Sequence, residues 1–383
     1  MRIGIFTDSY EPIISGVTVS IGVLENELRK LGHEVFIITY EHDHAVPNDH
    51  VIRIHGLKVP LKGLKEYKIG KVTRRKVNKF KKYNFDIIHC HTEFTLGRLG
   101  RRVAKKNNIP LVHTYHTMYE EYVHFISKTF AKPLRFLSKK FFASFAASAD
   151  MAIFPTKKVE KKVLKQGYKC QSRVIPTGLY LDDLSPSNYA KEDIKKEKEK
   201  LGIKETDFVL LFLGRMSVEK SVEELILNFE KVTEKNIKLL LVGGGPDLAY
   251  FQKVVKKRHL EDRVIFKGMV DRKNVGFYYQ LGDLFVNFSM TETQGLTYCE
   301  SLAAGLPLLV KYDDNLEGVI INGINGYSFN RDSEFSMILD TIYKNPIILK
   351  EIRSNASKGI EKLSAATYAQ NILKAYEYLL KKQ

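Results

Sequence analysis

Cysteine is scarce in this 383-residue chain: Cys90, Cys170 and Cys299 are the whole complement. They are odd in number and share no metal-ligand spacing, which excludes a disulfide scaffold and fits a reduced thiol population. Long apolar runs are missing as well, since no uncharged stretch approaches the roughly 20 residues that span a bilayer. The first residues, Met1 to Asp8, are too short for a signal h-region and read as a first strand. Neither half has Gly-x-Gly-x-x-Gly after its first strand, which removes the main support for a dinucleotide oxidoreductase. A Gly-x-x-x-x-Gly-Lys-Ser/Thr loop is also lacking, so a P-loop kinase or ATPase is excluded. No Asp-x-Asp occurs, so no motif calls for a metal bridging a diphosphate; no tightly bound cofactor and no protein-held metal site are expected, and the use of Mg2+ stays open without a motif behind it.

Acid is depleted in one place. Residues 51–150 hold 22 Lys and Arg against 6 Asp and Glu, while the other residues hold 39 against 38. The net charge of +17 therefore resides almost wholly in one hundred residues. A surplus so localised points to an anionic partner, either an acidic membrane or nucleic acid.

With 44% hydrophobic and 27% charged residues the chain is long and apolar enough for two globular domains. Short apolar runs at Ile3–Thr7, Val35–Thr39, Asp86–His89, Pro110–Thr114, Met151–Phe154 and Arg173–Pro176 alternate with helical patterns such as Val17–Leu31. After the turn-rich segment 177–186 the alternation restarts with Phe208–Leu213, Lys238–Val242, Val264–Gly268, Leu284–Asn287 and Leu306–Val310. Fully apolar strands alternating with helices predict parallel sheets covered on both faces, an α/β class with two Rossmann-like halves. The expected domains are 1–180 and 181–362, with 363–383 as a helix returning to the first.

Three segments carry chemistry. Gly16, in Ser15-Gly16-Val17, lets backbone approach a ligand at a helix start, where unpaired N–H groups suit phosphate. Arg215 and Lys220, in Gly214-Arg-Met-Ser-Val-Glu-Lys220, follow the first strand of the second half and suit a diphosphate. Thr291-Glu-Thr-Gln-Gly-Leu-Thr-Tyr-Cys-Glu300 places two glutamates either side of a glycine turn into a helix. Each alone is compatible with an ordinary turn or surface pair.

In this order the segments resemble the retaining glycosyltransferases of family 4, which have the GT-B fold of two Rossmann-like α/β/α domains facing a cleft. The resemblance runs from Met1 to about Lys362. It implies that Gly16 contacts the donor diphosphate, that Arg215 and Lys220 neutralise it, and that Glu292 binds sugar hydroxyls. It places Gln294, Gly295, Leu296 and Thr297 beside the donor, Glu300 on the ribose and the backbone of Val270 on the base. His116, in Thr114-Tyr-His-Thr-Met-Tyr119, stands where the family has a histidine beside the transferred sugar. Only one glycine precedes the first helix where relatives commonly have two, and Gln294 replaces a usual phenylalanine or proline.

Lys58–Lys82 contains eleven bases and one acid, and Ile69, Val72, Val77 and Phe80 would share one face of a helix there. Leu134, Leu137, Phe141 and Phe145 make a second stripe within 133–145. Both stripes suit either core packing or a membrane-surface helix. With His89–Phe94 and Thr293–Tyr298 intact, the chain is similar to the membrane-surface members of family 4. Those enzymes transfer glucose from UDP-glucose to the free hydroxyl of diacylglycerol. The resemblance implies UDP-glucose as donor, diacylglycerol and a phosphatidylglycerol-like anionic lipid as partners, and a place on the cytoplasmic face of the membrane. The bases expected to contact lipid are Lys65, Lys68, Lys71, Arg74, Arg75, Lys76, Lys79, Lys81, Lys82, Arg135, Lys139 and Lys140. Two alternatives stay open: a family 4 enzyme with a polar acceptor, and a basic RNA-binding protein, for which no RNP, KH or zinc-knuckle motif is found.

Overall fold

A computed structural model describes residues 1–13, 15–59, 67–116, 140–141, 143–165, 167 and 169–382. The chain divides into two compact units, Met1–Leu179 with Leu363–Gln383, and Tyr180–Lys362.

The described part of the first unit is built on a parallel sheet of β1 (Arg2–Phe6), β2 (Glu34–Tyr40) and β3 (Val51–Ile54), a short antiparallel pair β4 (Leu57–Lys58) and β5 (Lys68–Ile69), then β6 (Ile87–Cys90), β7 (Leu111–Thr114), β8 (Met151–Phe154) and β9 (Ser172–Val174). In the sheet the order is β3-β2-β1-β6-β7-β8-β9. Helices α1 (Gly16–Lys30), α2 (Arg74–Lys79), α3 (Thr95–Asn107) and α4 (Lys157–Leu164) lie between strands. Ser15 starts α1 by accepting the Thr18 N–H at 3.2 Å, and Thr73 does the same for α2 at Lys76. The apolar strands are buried on both faces, Ile3, Ile5, Ile37, Ile87 and Val112 on one and Phe6, Ile38 and Ile88 on the other all being inaccessible.

The second unit begins with α5 (Lys191–Lys200) and follows with β10 (Phe208–Leu213), α6 (Val222–Phe229), β11 (Ile237–Val242), α7 (Leu248–Lys257), β12 (Val264–Gly268), α8 (Val275–Tyr279), β13 (Leu284–Asn287), α9 (Leu296–Ala303), β14 (Leu308–Lys311), β15 (Gly326–Phe329), α10 (Asp332–Lys344) and α11 (Pro346–Asn355). Its strand order is β12-β11-β10-β13-β14-β15, every ladder parallel. Each sheet thus reverses its winding once, beside β1 and β6 in one unit and beside β10 and β13 in the other. Ligands of such sheets bind outside the carboxyl ends of the strands at that reversal.

The last helix, α12 (Ala365–Lys381), belongs to the first unit. It packs on α1, where the Ser20 and Tyr368 hydroxyls lie 3.0 Å apart, and the Tyr376 hydroxyl meets His89 Nδ1 at 2.6 Å.

The helix expected from Ile69 to Phe80 is shorter. Lys68–Ile69 forms β5, and α2 starts only at Arg74 behind its Thr73 cap. Val77 and Phe80 are buried in the core with Phe6, Phe36 and Phe85, and Val72 packs against them. In the second stripe Phe145 is also core, and Phe141 sits 5.4 Å under the Arg98 guanidinium. Leu134 and Leu137 lie outside the described residues. Where these stripes are described they are mainly core, and the charge rather than the apolar face is what reaches the surface.

Candidate active site

In the second unit, the carboxyl end of β10 runs into Gly214, Arg215 and, through a 3-10 turn at Val218–Lys220, into α6. The carboxyl end of β13 runs through Thr291 and Glu292 to Gly295, whose φ of +74° turns the chain into α9. A side chain is excluded at that turn, because a Cβ on Gly295 would lie 2.3 Å from Tyr298 Cδ2. The two loops are tied together: Lys220 Nζ donates to Glu292 Oε1 at 2.6 Å, and Thr291 Oγ1 donates to the Glu219 carbonyl at 2.9 Å. Arg215 is exposed beside them. At the head of α9 the N–H groups of Leu296 and Thr297 have no acceptor within the helix, as helix geometry dictates. A negatively charged ligand there would gain from both the N–H groups and the helix dipole. Gln294 is buried, and its carbonyl accepts from Asn315 Nδ2 at 3.2 Å.

Glu300 is one turn into α9 and fully buried. A carboxylate there needs partners, and among the described residues it has two: the Arg272 guanidinium donates to Oε1, and the Tyr279 hydroxyl donates to Oε2 at 2.9 Å. Arg272 follows the half-buried Val270 by two residues, past the carboxyl end of β12. The resemblance points to Glu300 but to neither partner, since both lie more than 20 residues away in sequence.

In the first unit, Gly16 is the first residue of α1, beyond the carboxyl end of β1. His116 lies two residues past β7, half-buried, with Nε2 2.8 Å from His91 Nδ1. His91 directly follows β6. Around this pair, His89 Nε2 meets Thr114 Oγ1 at 2.7 Å, and His113 Nε2 meets Glu93 Oε1 at 3.2 Å, both side chains buried. Because His113 Nδ1 also contacts the Cys90 carbonyl at 2.9 Å, that nitrogen carries a proton. The contact with Glu93 then requires a second proton, on the ring or on the carboxyl group. Burial, then neighbouring imidazoles, holds His89 and His91 well below the usual histidine range, and burial brings His116 down to about 3. All three rings are therefore neutral at pH 7. Two residues past the neighbouring strand β1, Asp8 accepts from Thr92 Oγ1 at 2.6 Å and from the Leu96 N–H at 2.9 Å. Burial nonetheless pushes its carboxyl up to about 6.

The residues expected at the donor thus fall into two sets, each at the carboxyl edge of its own sheet: Gly16 and His116 in the first unit, the remainder in the second. Among the described residues no group of three or more His, Cys, Asp or Glu is disposed to hold a metal ion, and no helix is long and apolar enough to cross a membrane.

Of the bases expected at a lipid surface, Lys71, Arg74, Arg75, Lys79, Lys81, Lys82 and Lys140 are exposed, and Lys68 and Lys76 half-buried. Lys65, Arg135 and Lys139 lie outside the described residues. The bases expected at lipid do not include those of α3, whose buried stripe of Leu96, Leu99 and Val103 leaves Arg98, Arg102, Lys105 and Lys106 exposed. Arg102 donates to the Val72 carbonyl at 2.9 Å, and Lys106 reaches Asn78 on α2. The bases of α2 and α3 therefore form one continuous surface.

Comparison with known proteins agrees with this geometry. The profile of Glycosyltransferase Family 4 matches residues 14–183, and that of Glycosyl transferases group 1 matches residues 193–359. An alpha-monoglucosyldiacylglycerol synthase of Acholeplasma laidlawii is 37% identical over 100% of this chain and 98% of its own length. One from Streptococcus pneumoniae is 34% identical over 98% of this chain and 85% of its own. Among solved structures, HepE of Anabaena in complex with UDP-glucose aligns with a TM-score of 0.78 at 18% identity, covering 99% of this chain and 100% of that one. Sucrose-phosphate synthase of Thermosynechococcus elongatus aligns at 0.79 with 21% identity over 100% of both chains. At these identities the likeness speaks for the fold, and the two parallel-sheet units are those of GT-B. By fold, by family profile and by identity along its whole length, the chain belongs to the family 4 glycosyltransferases and is a glycosyltransferase.

Proposed function

We propose that this enzyme transfers glucose from UDP-glucose to the free hydroxyl of 1,2-diacylglycerol, with retention, giving alpha-monoglucosyldiacylglycerol at an anionic membrane surface on the cytoplasmic side. The observation that carries the reading is full-length similarity to two proteins named as synthases of that product. A second supports it: the exposed bases of α2 and α3 suit a lipid headgroup surface. A polar acceptor would leave that surface without a purpose, and an RNA-binding role has no motif behind it.

In this reading the second unit holds the donor. Arg215 and Lys220 neutralise the diphosphate as it leaves, Glu292 binds hydroxyls of glucose, and the first N–H groups of α9 cradle phosphate oxygens. Gln294 and Gly295 shape that turn, Glu300 takes the ribose and the backbone at Val270 reads the base. By the family resemblance, Gly16 is assigned to the diphosphate and His116 to the sugar. The acceptor hydroxyl attacks the face of the sugar that the phosphate leaves, and the phosphate takes its proton, so no covalent glycosyl-enzyme forms. Glu120 and Glu121, the nearest carboxylates to His116 in sequence, lie outside the described residues.

The deciding experiment supplies labelled UDP-glucose and diacylglycerol in micelles containing phosphatidylglycerol and identifies the product. Alpha-monoglucosyldiacylglycerol is expected. Transfer to a sugar acceptor with none to lipid would overturn the reading, and a mass shift on Glu120 or Glu121 would overturn the mechanism.

A further inference from the structure

His91 has no part in the donor contacts just assigned, yet its ring is locked to that of His116. Strands β6 and β7 are neighbours in the sheet, and the two histidines follow their carboxyl ends. The centroids are 5.0 Å apart and the ring planes differ by 23°. That separation is close to the 2.8 Å nitrogen–nitrogen distance plus the two ring radii, so the rings meet edge to edge in nearly one plane. Nitrogens so placed share a single proton.

The other side of the His91 ring decides who owns it. His91 Nε2 is buried and has no hydrogen-bond partner among the described residues. If His116 donated, neutral His91 would carry its own proton on Nε2, as a buried N–H with no acceptor. Such a group keeps the full penalty of losing water without a new partner, and orphaned N–H groups are rarer than orphaned acceptors. If His91 donates from Nδ1, its Nε2 is only a bare lone pair. Two protons on either ring are disfavoured by burial and by the adjacent imidazoles.

We propose that His91 is a positioning residue that donates from Nδ1 to His116 Nε2 and so fixes His116 as the tautomer protonated on Nδ1. His116 then offers a neutral, oriented Nδ1–H to a hydroxyl oxygen of the bound glucose. The proposal rests on the reading that places His116 beside the transferred sugar. The tautomer itself does not depend on that reading. A histidine's free nitrogen is set by the bond its other nitrogen makes; where the histidine binds a metal, removing the orienting partner costs about 10–100-fold, and a loss at the lower end of that range is expected here.

The test has two independent readouts on the whole protein. With 15N-labelled histidine, and the His116 signals assigned through His116→Gln, the unsubstituted enzyme should show Nε2 unprotonated and Nδ1 protonated. His91→Phe should turn these into averaged signals and lower kcat about tenfold or more, with a smaller change in KM for the nucleotide sugar. His91→Asn, whose side-chain amide can donate from nearly the same place, should restore both. A His116 protonated on Nε2 in the unsubstituted enzyme would overturn the proposal outright. So would a folded His91→Phe protein that keeps both the tautomer and the turnover. Full turnover in His116→Gln would instead remove the sugar-side reading, while the nitrogen spectrum still decides the tautomer.

Discussion

Lys220 Nζ and Glu292 Oε1 are 2.6 Å apart, an ion pair that joins the loop after β10 to the turn before α9. Both side chains are mostly shielded from solvent, at 21% and 13% exposure, so the pair holds each group where a ligand would meet it.

The first prediction concerns that pair. Glu292→Gln keeps the shape but removes the charge that would strengthen a hydroxyl contact in the transition state. Such a contact is worth roughly 3–4 kcal/mol, about a hundred- to a thousandfold in rate. Arg215→Ala and Lys220→Ala should each lower turnover more than donor affinity. Steady-state release of UDP checks all three, and near-normal turnover in folded Glu292→Gln would refute the assignment.

Glu300 gives a second. Tyr279→Phe removes one of its two described donors without changing volume, and Arg272→Ala removes the other. Each should destabilise the second unit, by about 1–3 kcal/mol for the buried Tyr279 contact, and should weaken donor binding. Calorimetric titration with UDP and denaturant unfolding read the two effects. Unchanged affinity in both variants would separate Glu300 from the nucleotide.

Acid lability is the third. His89, His91 and His116 titrate far below their ordinary 6.5 when folded. Once pH falls below 6.5, the unfolded chain binds protons that the folded one refuses, so stability falls as pH falls. Each of the fully buried rings, His89 and His91, contributes a slope of about 1.4 kcal/mol per pH unit in that range. Asp8 works in the opposite sense, because its folded value of about 6 exceeds its ordinary 3.8. It disfavours the folded state as pH rises through that interval. The net expectation is a lower urea midpoint at pH 5.5 than at 7.5, and Asp8→Asn should steepen the fall. A midpoint that rises toward pH 5.5 would contradict the sign given to the histidines.

The basic surface supplies the fourth. Each base near an anionic leaflet contributes about 1 kcal/mol, so six would give roughly 6 kcal/mol. Replacing Arg74, Arg75, Lys76, Lys79, Lys81 and Lys82 by Gln should abolish sedimentation with phosphatidylglycerol liposomes and the activation they bring, while slow hydrolysis of UDP-glucose survives. Unaltered sedimentation at 0.15 M salt would make these bases a solvated face. Binding by the unsubstituted enzyme should weaken as salt rises, the field falling off over about 8 Å at physiological ionic strength.

Much of the fold was legible because its strands are buried on both faces. Phe208–Leu213 admits no polar residue, and the sheet places it centrally. The glutamate turn was legible too, since Gly295 marks a positive φ that few other residues accept. What stayed hidden depends on distance in sequence. Nothing near Glu300 says that Arg272 and Tyr279 reach it, and nothing at His91 says that its ring finds His116, 25 residues later. The run from Ile69 to Phe80 misled through its periodicity: Thr73 is a better cap than an interior residue, and the helix starts there. The basic surplus was countable, but its continuation along α3 required knowing which helix lies against α2.

The return of α12 has a consequence for the order of biosynthesis. Leu179 and Leu363 are hydrogen-bonded neighbours, the Leu179 N–H donating to the Leu363 carbonyl at 2.8 Å, although a complete second unit separates them in sequence. On the ribosome the first unit therefore emerges early and waits. Its His89 lacks Tyr376, and its α1 lacks the helix that covers it, until residues 180–362 have been made. The second unit can close its core first, and the earlier part of the chain is finished by a later one, leaving Ser20 and the α1 surface around it uncovered throughout the interval.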